Sequence, residues 1–271
     1  MLYLVGGFLL SLAVSAVAYR GRSLSRSGVL GAILVGTITF GLGGWTWGLL
    51  LIAFFVLASL LSHYRRGQKQ ALAEKFAKGH RRDLGQVLAN GGLGALLAAL
   101  YFLWPNDLLF AAFLGSVAAV SADTWATELG VLSPRSPRLI TTGKVVPVGT
   151  SGGVTLWGIT ASIAGALAIG GIAWLLLALG RAATLVSILL LASSSGLLGS
   201  LFDSLLGATL QGIYLCPRCR VETERMVHRC GYQTTHIRGW RWLNNDLVNL
   251  ASSLLGAIVA SLLHLAFAPS A

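Results

Sequence analysis

The chain has 271 residues, of which 55% are hydrophobic and 11% are charged, and it carries a net charge of +11. Its mean hydropathy of +0.75 excludes an ordinary soluble domain and predicts a polytopic, all-α integral membrane protein, with residues 1–271 forming one transmembrane domain. The positive charge does not indicate nucleic-acid binding, because membrane topology explains where the basic residues lie.

Eight apolar segments are predicted to cross the membrane as helices. They cover residues 2–18, 28–43, 45–61, 86–104, 108–122, 153–179, 182–212 and 247–267. No basic stretch precedes the first segment, so we interpret it as a transmembrane helix and not as a cleavable signal. The segments that begin at residues 153 and 182 exceed the ~20 residues needed to cross, so each is expected to be tilted, broken or partly re-entrant.

Basic residues occur almost entirely in four of the predicted loops. Nineteen of the 20 Lys and Arg residues lie in residues 20–26, 65–82, 135–144 and 218–241. Because cationic loops are preferentially retained in the cytoplasm during insertion, all four loops are expected there. This topology places both termini on the outer side of a plasma (inner) membrane.

A weak internal similarity relates residues 93–100 to residues 255–262, both in helices predicted to run outward. A genuine similarity would make the eight helices a four-plus-four parallel repeat. Chance similarity in alanine- and leucine-rich sequence is the alternative.

Polar residues that are costly in a membrane occur near the predicted cytoplasmic ends of the helices. A charge within a span costs ~3 kcal/mol and normally faces a cavity or a partner. The convergence of these residues predicts one chamber open to the cytoplasm. They are Asn90, Asp123, Glu128, Ser200, Asp203, Ser204, Gln211, Asn244, Asn245, Asp246 and Asn249.

Helical spacing predicts how the acidic residues are presented. Ser200 and Asp203 are three residues apart and share one helix face. Asp123 and Glu128 are five apart, which points them roughly 140° away from each other on a continuous helix. We therefore expect the helix to end or bend between Asp123 and Glu128.

A lysine and a glycine-rich turn follow the first pair of acids. Lys144 precedes a turn made of Gly149, Thr150, Ser151, Gly152 and Gly153. The carboxylates are suited to Mg²⁺, Lys144 to neutralising phosphate, and the amides of the turn to phosphate oxygens at the start of the next helix. A simple helix cap explains the turn equally well, and the order of residues is not that of a Walker A motif.

The three cysteines lie together in a cytoplasmic loop, residues 213–241, before the last helix. Cys216, Cys219, His228 and Cys230 match the ligands of a structural Cys₃His zinc site. His236 is a substitute ligand in this interpretation. Reduced free thiols and a redox pair are the alternatives.

Four motifs occur in order along the chain: SADTWATELG at residues 121–130, GTSGGV at 149–154, GSLFDSLLGATLQ at 199–211 and LNNDLVN at 243–249. With RDLGQVLANGG at residues 82–92, they extend over nearly the whole chain. This combination resembles the family of plant phytyl-phosphate kinase and transmembrane protein 19, known as domain of unknown function 92.

The resemblance implies a Mg²⁺-dependent kinase that transfers a phosphoryl group from CTP or ATP to a prenyl monophosphate, such as phytyl or geranylgeranyl phosphate. Mg²⁺ is expected at Asp123, Asp203 and Asp246, and the prenyl chain between glycine-lined helices. The motifs carry over a site of Asp123, Thr124, Glu128, Lys144, Thr150, Ser151, Asp203, Asn245, Asp246 and Asn249.

Two other functions are compatible with the same residues. One is a CDP-lipid synthase-like cytidylyltransferase, and the other is a polyprenyl-phosphate transporter or flippase. The expected partners are a prenyl phosphate lipid, a nucleotide and membrane lipids, without nucleic acid.

Overall fold

The computed structural model describes residues 2–65, 67–68, 81–178 and 185–267, and eight long helices dominate them. All eight are long and apolar enough to cross a membrane, which confirms the predicted fold class. The helices are α1 (Leu2–Arg20), α2 (Arg26–Gly43), α3 (Trp45–His63), α4 (Leu84–Leu103), α5 (Asp107–Gly130), α6 (Leu156–Ala178), α7 (Leu185–Thr209) and α8 (Asn245–Phe267).

The helix boundaries differ from prediction mainly in the second half of the chain. Helix α5 continues to Gly130, beyond the predicted end at residue 122. Helix α6 has 23 residues and begins at Leu156, after the predicted start at residue 153. Helix α7 has 25 residues and ends at Thr209, before the predicted end at residue 212. The predicted boundaries at residues 179 and 182 lie outside the described residues.

Two small sheets lie in the loops. Strand β1 (Arg138–Leu139) pairs antiparallel with β2 (Gly153–Val154). Strands β3 (Ile213–Leu215), β4 (Glu222–Thr223) and β5 (Thr235–Arg238) form an antiparallel sheet in the order β4-β3-β5. The predicted loop at residues 213–241 is therefore a folded unit, called here the Cys/His element.

Polar side chains define where several helices begin. The Asp83 side chain accepts a hydrogen bond from the Gln86 amide, and the Gln86 side chain accepts one from the Asp83 amide, so both form a capping box at the start of α4. Asn106 accepts from the Leu109 amide at the start of α5. These caps fix the first residue of α4 and of α5. They therefore also fix how far along the bundle axis the polar residues of these helices lie.

Helix α5 forms the centre of the bundle, and its residues 111–122 are all buried. Glycine lets its neighbours approach at backbone distance: a Cβ added to Gly256 of α8 would lie 2.6 Å from the Gly115 carbonyl oxygen. A Cβ on Gly199 of α7 would lie 2.5 Å from the Ala119 Cβ. Such contacts hold α7 and α8 against α5, as small residues do in membrane helix packing.

Contacts between loops occur at the end of the bundle where the odd-numbered helices end and the even-numbered helices begin. The Arg82 amide before α4 donates to the Ser23 carbonyl in the α1–α2 loop, and the Gly212 amide after α7 donates to the Leu243 carbonyl before α8. The four basic clusters belong to these loops. We call this end of the bundle the basic end.

Candidate functional site

A cavity of about 540 Å³ lies at the basic end, between the ends of α3, α5 and α7, the starts of α4, α6 and α8, and the Cys/His element. The structure brings together around it nearly all the residues singled out from the sequence. They are Asn90, Asp123, Thr124, Glu128, Gly149, Thr150, Ser151, Gly152, Gly153, Ser200, Asp203, Ser204, Gln211, Asn244, Asn245, Asp246 and Asn249.

Three aspartates reach the cavity from three different helices. Asp203 of α7 interacts electrostatically with Asp123 of α5, and its Oδ2 atom lies 3.2 Å from Oγ of the buried Ser252. Asp246 lies in the first turn of α8, where the helix dipole favours a negative charge. Carboxylate oxygens are the ligand type that Mg²⁺ prefers, although these three do not lie close enough together to form a group of metal ligands in the structure.

Helix α5 does not end between Asp123 and Glu128, so the prediction of a helix end at this point is wrong. The helix continues to Gly130, and the cavity wraps around its last turn. Ala126 and Thr127 line the cavity as well. Both acids therefore reach one site from different sides of a continuous helix.

The glycine-rich turn is not the start of α6, in contrast to the prediction. Helix α6 begins at Leu156, and the Thr155 hydroxyl accepts the hydrogen bond from the Gly158 amide that caps it. The amides of Thr150 and Gly153 donate to the carbonyls of Pro147 and Thr150. These two amides are therefore already bonded within the loop.

The turn packs instead against the end of α7. Gly152 has a φ of +81°, and a Cβ there would lie 2.5 Å from the Ala208 amide nitrogen. A Cβ on Gly207 would lie 2.6 Å from Ser151 Oγ. Glycine at both positions allows the turn to sit one helical turn away from Asp203.

Lys144 is the one predicted catalytic residue that the structure places elsewhere. It is exposed in the hairpin between β1 and β2 and is not among the described residues that line the cavity. The cations that do line it are Arg82 and Arg241, which residue-type reasoning missed. Arg82 opens the motif at residues 82–92, and this position was the available signal.

Arg82 is held firmly at the rim of the cavity. Its NH1 atom donates to Ser59 Oγ at 3.1 Å, and its guanidinium lies 5.5 Å from the centre of the Phe55 ring. Burial lowers the pKa of Arg82, and the nearby Glu128 carboxylate partly restores it. A partly desolvated cation of this kind is stabilised further by an anionic ligand.

Gln211 connects three parts of the site. It is 1% exposed, its Oε1 accepts from Ser151 Oγ at 3.0 Å, and its Nε2 donates to Glu224 Oε1 at 2.9 Å. The residue thus joins the glycine-rich turn to strand β4 and its neighbour Glu224. Glu224 and Met226, which sequence reasoning also missed, bring the Cys/His element into the cavity wall.

The four predicted zinc ligands form one cluster. Ligand atoms of Cys216, Cys219, His228 and Cys230 all lie within 4.8 Å of one another. The Sγ atoms of Cys216 and Cys230 are 3.6 Å apart. Tetrahedral zinc with bonds of about 2.3 Å places sulfur ligands about 3.8 Å apart, so the donor set and spacing fit zinc.

His236 does not belong to this group of four. It lies in β5, where its ring packs edge-on against Tyr214 with centroids 5.4 Å apart. The two other candidate pairs, Cys216 with Cys219 and His228 with Cys230, already offer the four ligands of a tetrahedral zinc site.

Comparisons with known proteins identify relatives along almost the entire chain. The sequence profile of a family described as "Integral membrane protein DUF92" matches residues 9–257. Protein PGR of Arabidopsis thaliana is 32% identical over 280 residues, which cover 96% of this chain and 95% of that protein. No solved structure matches the chain.

Two further relatives come from an archaeon and from a chloroplast. An uncharacterized membrane protein of Methanocaldococcus jannaschii is 34% identical over 90% of this chain and 87% of its own length. Protein VTE6, chloroplastic, of Arabidopsis thaliana is 30% identical over 89% of this chain and 65% of its own length.

Proposed function

The chain belongs to the integral membrane protein family DUF92, as its motifs predicted, and from this premise we propose that it is an isoprenoid-phosphate kinase. It transfers a phosphoryl group from CTP or ATP to a prenyl monophosphate, such as phytyl or geranylgeranyl phosphate. The family resemblance to plant phytyl-phosphate kinase suggests this reaction.

The observation that carries the proposal is the composition of the cavity at the basic end. Carboxylates from α5, α7 and α8 share it with Arg82 and Arg241, and its volume of about 540 Å³ lies in the range of small-molecule sites. Acids that can hold a cation, together with arginines, are what two phosphate-bearing substrates require.

The acceptor needs little activation by the protein. A monophosphate oxygen is already anionic, so it attacks the γ-phosphorus of the donor without a strong general base. The new P–O bond forms as the bond between the γ-phosphorus and the β–γ bridging oxygen breaks, and the nucleoside diphosphate leaves with that electron pair. Arg82 and Arg241 offset the repulsion between the phosphates, a role that residue types alone had assigned to Lys144.

Magnesium fits the oxygen ligands of the cavity. Asp123, Asp203 and Asp246 would hold it, and it would supply charge neutralisation of the donor phosphates. Ser252 positions the Asp203 carboxylate for this purpose through their contact at 3.2 Å.

The Cys/His element serves the site as a folded wall. Cys216, Cys219, His228 and Cys230 would hold zinc, which would stabilise the loops around strands β3 and β4, and Glu224 next to β4 faces the cavity. Such a metal would be structural, because four protein ligands would complete its coordination.

The basic end faces the cytoplasm in this proposal, with both termini on the other side of the membrane. Four basic clusters favour this orientation through the positive-inside rule. The cavity then opens toward the compartment that supplies nucleoside triphosphates, and the lipid reaches it from the bilayer.

The test uses purified protein in lipid nanodiscs with Mg²⁺, labelled CTP or ATP, and geranylgeranyl phosphate. Transfer of the γ label to a prenyl diphosphate supports the kinase. Transfer of the α label to lipid would instead identify a cytidylyltransferase. A folded protein that transfers neither label, but moves prenyl phosphate across a bilayer, would identify a transporter.

A further inference from the structure

A second cavity lies between α1, α2, α3 and α4, beside the polar cavity. It is narrow, with a volume of about 80 Å³, and side chains such as Val14, Val35, Phe40 and Leu51 form its walls. We call it the apolar groove. An apolar space of this kind binds hydrocarbon and not a charged group.

The apolar groove and the polar cavity share three lining residues, Arg82, Gln86 and Asn90. Gln86 and Asn90 are four residues apart on α4 and therefore lie on one face of that helix. The two cavities meet along this face. A ligand that spans the junction must be polar at one end and apolar at the other.

We propose that the apolar groove holds the isoprene units next to the phosphate of the lipid substrate, and that Arg82, Gln86 and Asn90 hold the phosphate itself. The inference rests on the proposed function, since it assigns the tail and head positions of the same substrate. It names a tail site on α1–α4 that is separate from the helices carrying the cavity carboxylates.

Arg82 is suited to anchor a phosphate at the junction. Besides its side-chain contacts with α3, its amide donates to the Ser23 carbonyl at 2.9 Å and its carbonyl accepts from the Ser25 amide at 3.0 Å. Both its backbone and its guanidinium are therefore fixed. A preorganised guanidinium loses little entropy when it donates to phosphate oxygens.

Asn90 supplies a second indication of a polar ligand. Its Oδ1 atom is buried and has no hydrogen-bond partner among the described residues. Buried polar atoms are nearly always bonded, and the oxygen and nitrogen of an amide are interchangeable in assignment. With the amide turned over, its NH₂ group would donate to a phosphate oxygen at this position.

The shape of the groove favours a linear chain. Along α2 its lining extends from Ala32 to Phe40, a rise of about 12 Å. Glycine at position 91 keeps the groove open, since a Cβ there would lie only 2.9 Å from Val35 Cγ1. The groove runs from Arg82 at the basic end toward the middle of the membrane, as the tail of a lipid must.

Filling the groove provides the first test. Val14→Trp places an indole in the groove, whereas Val17→Trp on the same helix is the matched control, because Val17 is 69% exposed and does not line the groove. Equilibrium binding of radiolabelled geranylgeranyl phosphate is measured in nanodiscs without nucleotide. Val14→Trp should weaken binding at least about ten-fold through loss of buried methylene groups, and Val17→Trp should leave it unchanged.

A short analogue separates the tail from the head. Isopentenyl phosphate carries the same phosphate on one isoprene unit, so its weaker binding should respond less to Val14→Trp than that of geranylgeranyl phosphate. Arg82→Gln should weaken the binding of both ligands. Equal affinity of wild type and Val14→Trp for the long ligand would overturn the tail assignment.

A crosslinking experiment tests the wild-type protein and does not depend on variant folding. Geranylgeranyl phosphate with a diazirine on the first isoprene unit should label α1, α2 or α3, and unlabelled ligand should compete. Labelling confined to α5–α8 would contradict the tail site. Equal labelling by a diazirine phospholipid that prenyl phosphate does not displace would show the groove to hold ordinary lipid.

These outcomes are distinct from failure of the kinase proposal. If the groove is labelled and binding depends on Val14, but no γ-phosphoryl transfer occurs, the tail site stands and the kinase assignment falls. If transfer occurs with equal efficiency in the wild type and in Val14→Trp, the kinase stands and the groove assignment falls.

Discussion

The polar cavity and the Cys/His element both contain side chains of types that can bind metal ions, but they are assembled in different ways. Asp123, Asp203 and Asp246 come from three helices spread over residues 123–246. The Cys/His ligands all lie within residues 216–230. One region depends on the packing of the whole bundle, and the other on a few local turns.

The two regions are therefore held together by different kinds of contact. The cluster is shaped by short-range bonds, such as the Cys216 amide donating to the Val221 carbonyl at 3.0 Å and the Arg220 amide donating to the Cys216 carbonyl at 2.8 Å. The cavity instead requires glycine contacts between α5, α7 and α8. We therefore expect substitutions to affect the two regions separately, except where Gln211 joins them.

The largest effect is expected from Asp203→Asn. It should lower phosphoryl transfer at least about 100-fold, since it removes one of the carboxylates that would hold the cation needed to neutralise the donor phosphates. The thermal unfolding midpoint and the zinc content should stay at the wild-type values. Asp107→Asn, at the opposite end of α5, is the control and should retain activity; turnover near wild type in Asp203→Asn would remove the metal assignment.

The next largest effect is expected from a variant that tests the contact between the glycine-rich turn and α7. Gly152→Ala should lower activity roughly 10- to 100-fold, because its Cβ would displace the turn from Ala208. Gly143→Ala is a matched control, since Gly143 also has a positive φ, of +67°, but its Cβ would meet nothing within 4 Å. Equal kinetics in the two variants would mean that the turn does not position a substrate.

A smaller effect is expected from breaking the Cys/His cluster. Cys216→Ser should remove bound zinc, measured by elemental analysis, and lower activity about 10-fold as the wall that carries Glu224 loosens. The unfolding midpoint of the helices should change little, because their core does not include this element. His236→Gln should keep a full complement of zinc; loss of zinc in that variant would restore His236 as a ligand.

Gln211→Ala tests the link between the two regions. It removes the bonds to Ser151 and Glu224, and the expected loss of activity is about five-fold, which corresponds to about 1 kcal/mol. Zinc should remain bound, since Gln211 is not a ligand. Gln233 lies on the exposed surface of the Cys/His element, and Gln233→Ala should have no effect on turnover. An equal loss of activity in both variants would argue against the link.

The smallest effect is expected from Lys144→Ala. Its side chain is exposed outside the cavity lining, so activity should change by no more than about two-fold. Arg82→Gln should be far more damaging in the same transfer assay. The reverse order would return the phosphate-neutralising role to Lys144.

Sequence reasoning reached the fold class and most of the cavity lining because both depend on short-range patterns. Long apolar segments identify the helices, and loop charges arrange their ends. The Cys/His cluster was recognisable for the same reason, since two cysteines in a Cys-x-x-Cys motif and a nearby His-x-Cys pair lie within a few residues of one another.

Three details required the tertiary structure. Asp123 and Glu128 reach one cavity from a continuous helix, because the cavity wraps around its end. Lys144 follows the acids closely in sequence, yet the β1–β2 hairpin turns it to solvent. Arg82, which is distant in sequence, takes the place beside Glu128.

By itself, the sequence determined that this chain forms eight membrane helices with polar residues at one end and a local Cys/His cluster. Spacing along a helix specifies which side chains share a face. Only the tertiary structure decided which faces meet, because that depends on where glycine lets distant backbones touch. The junction of the apolar groove and the polar cavity at Arg82, Gln86 and Asn90 is a product of that packing.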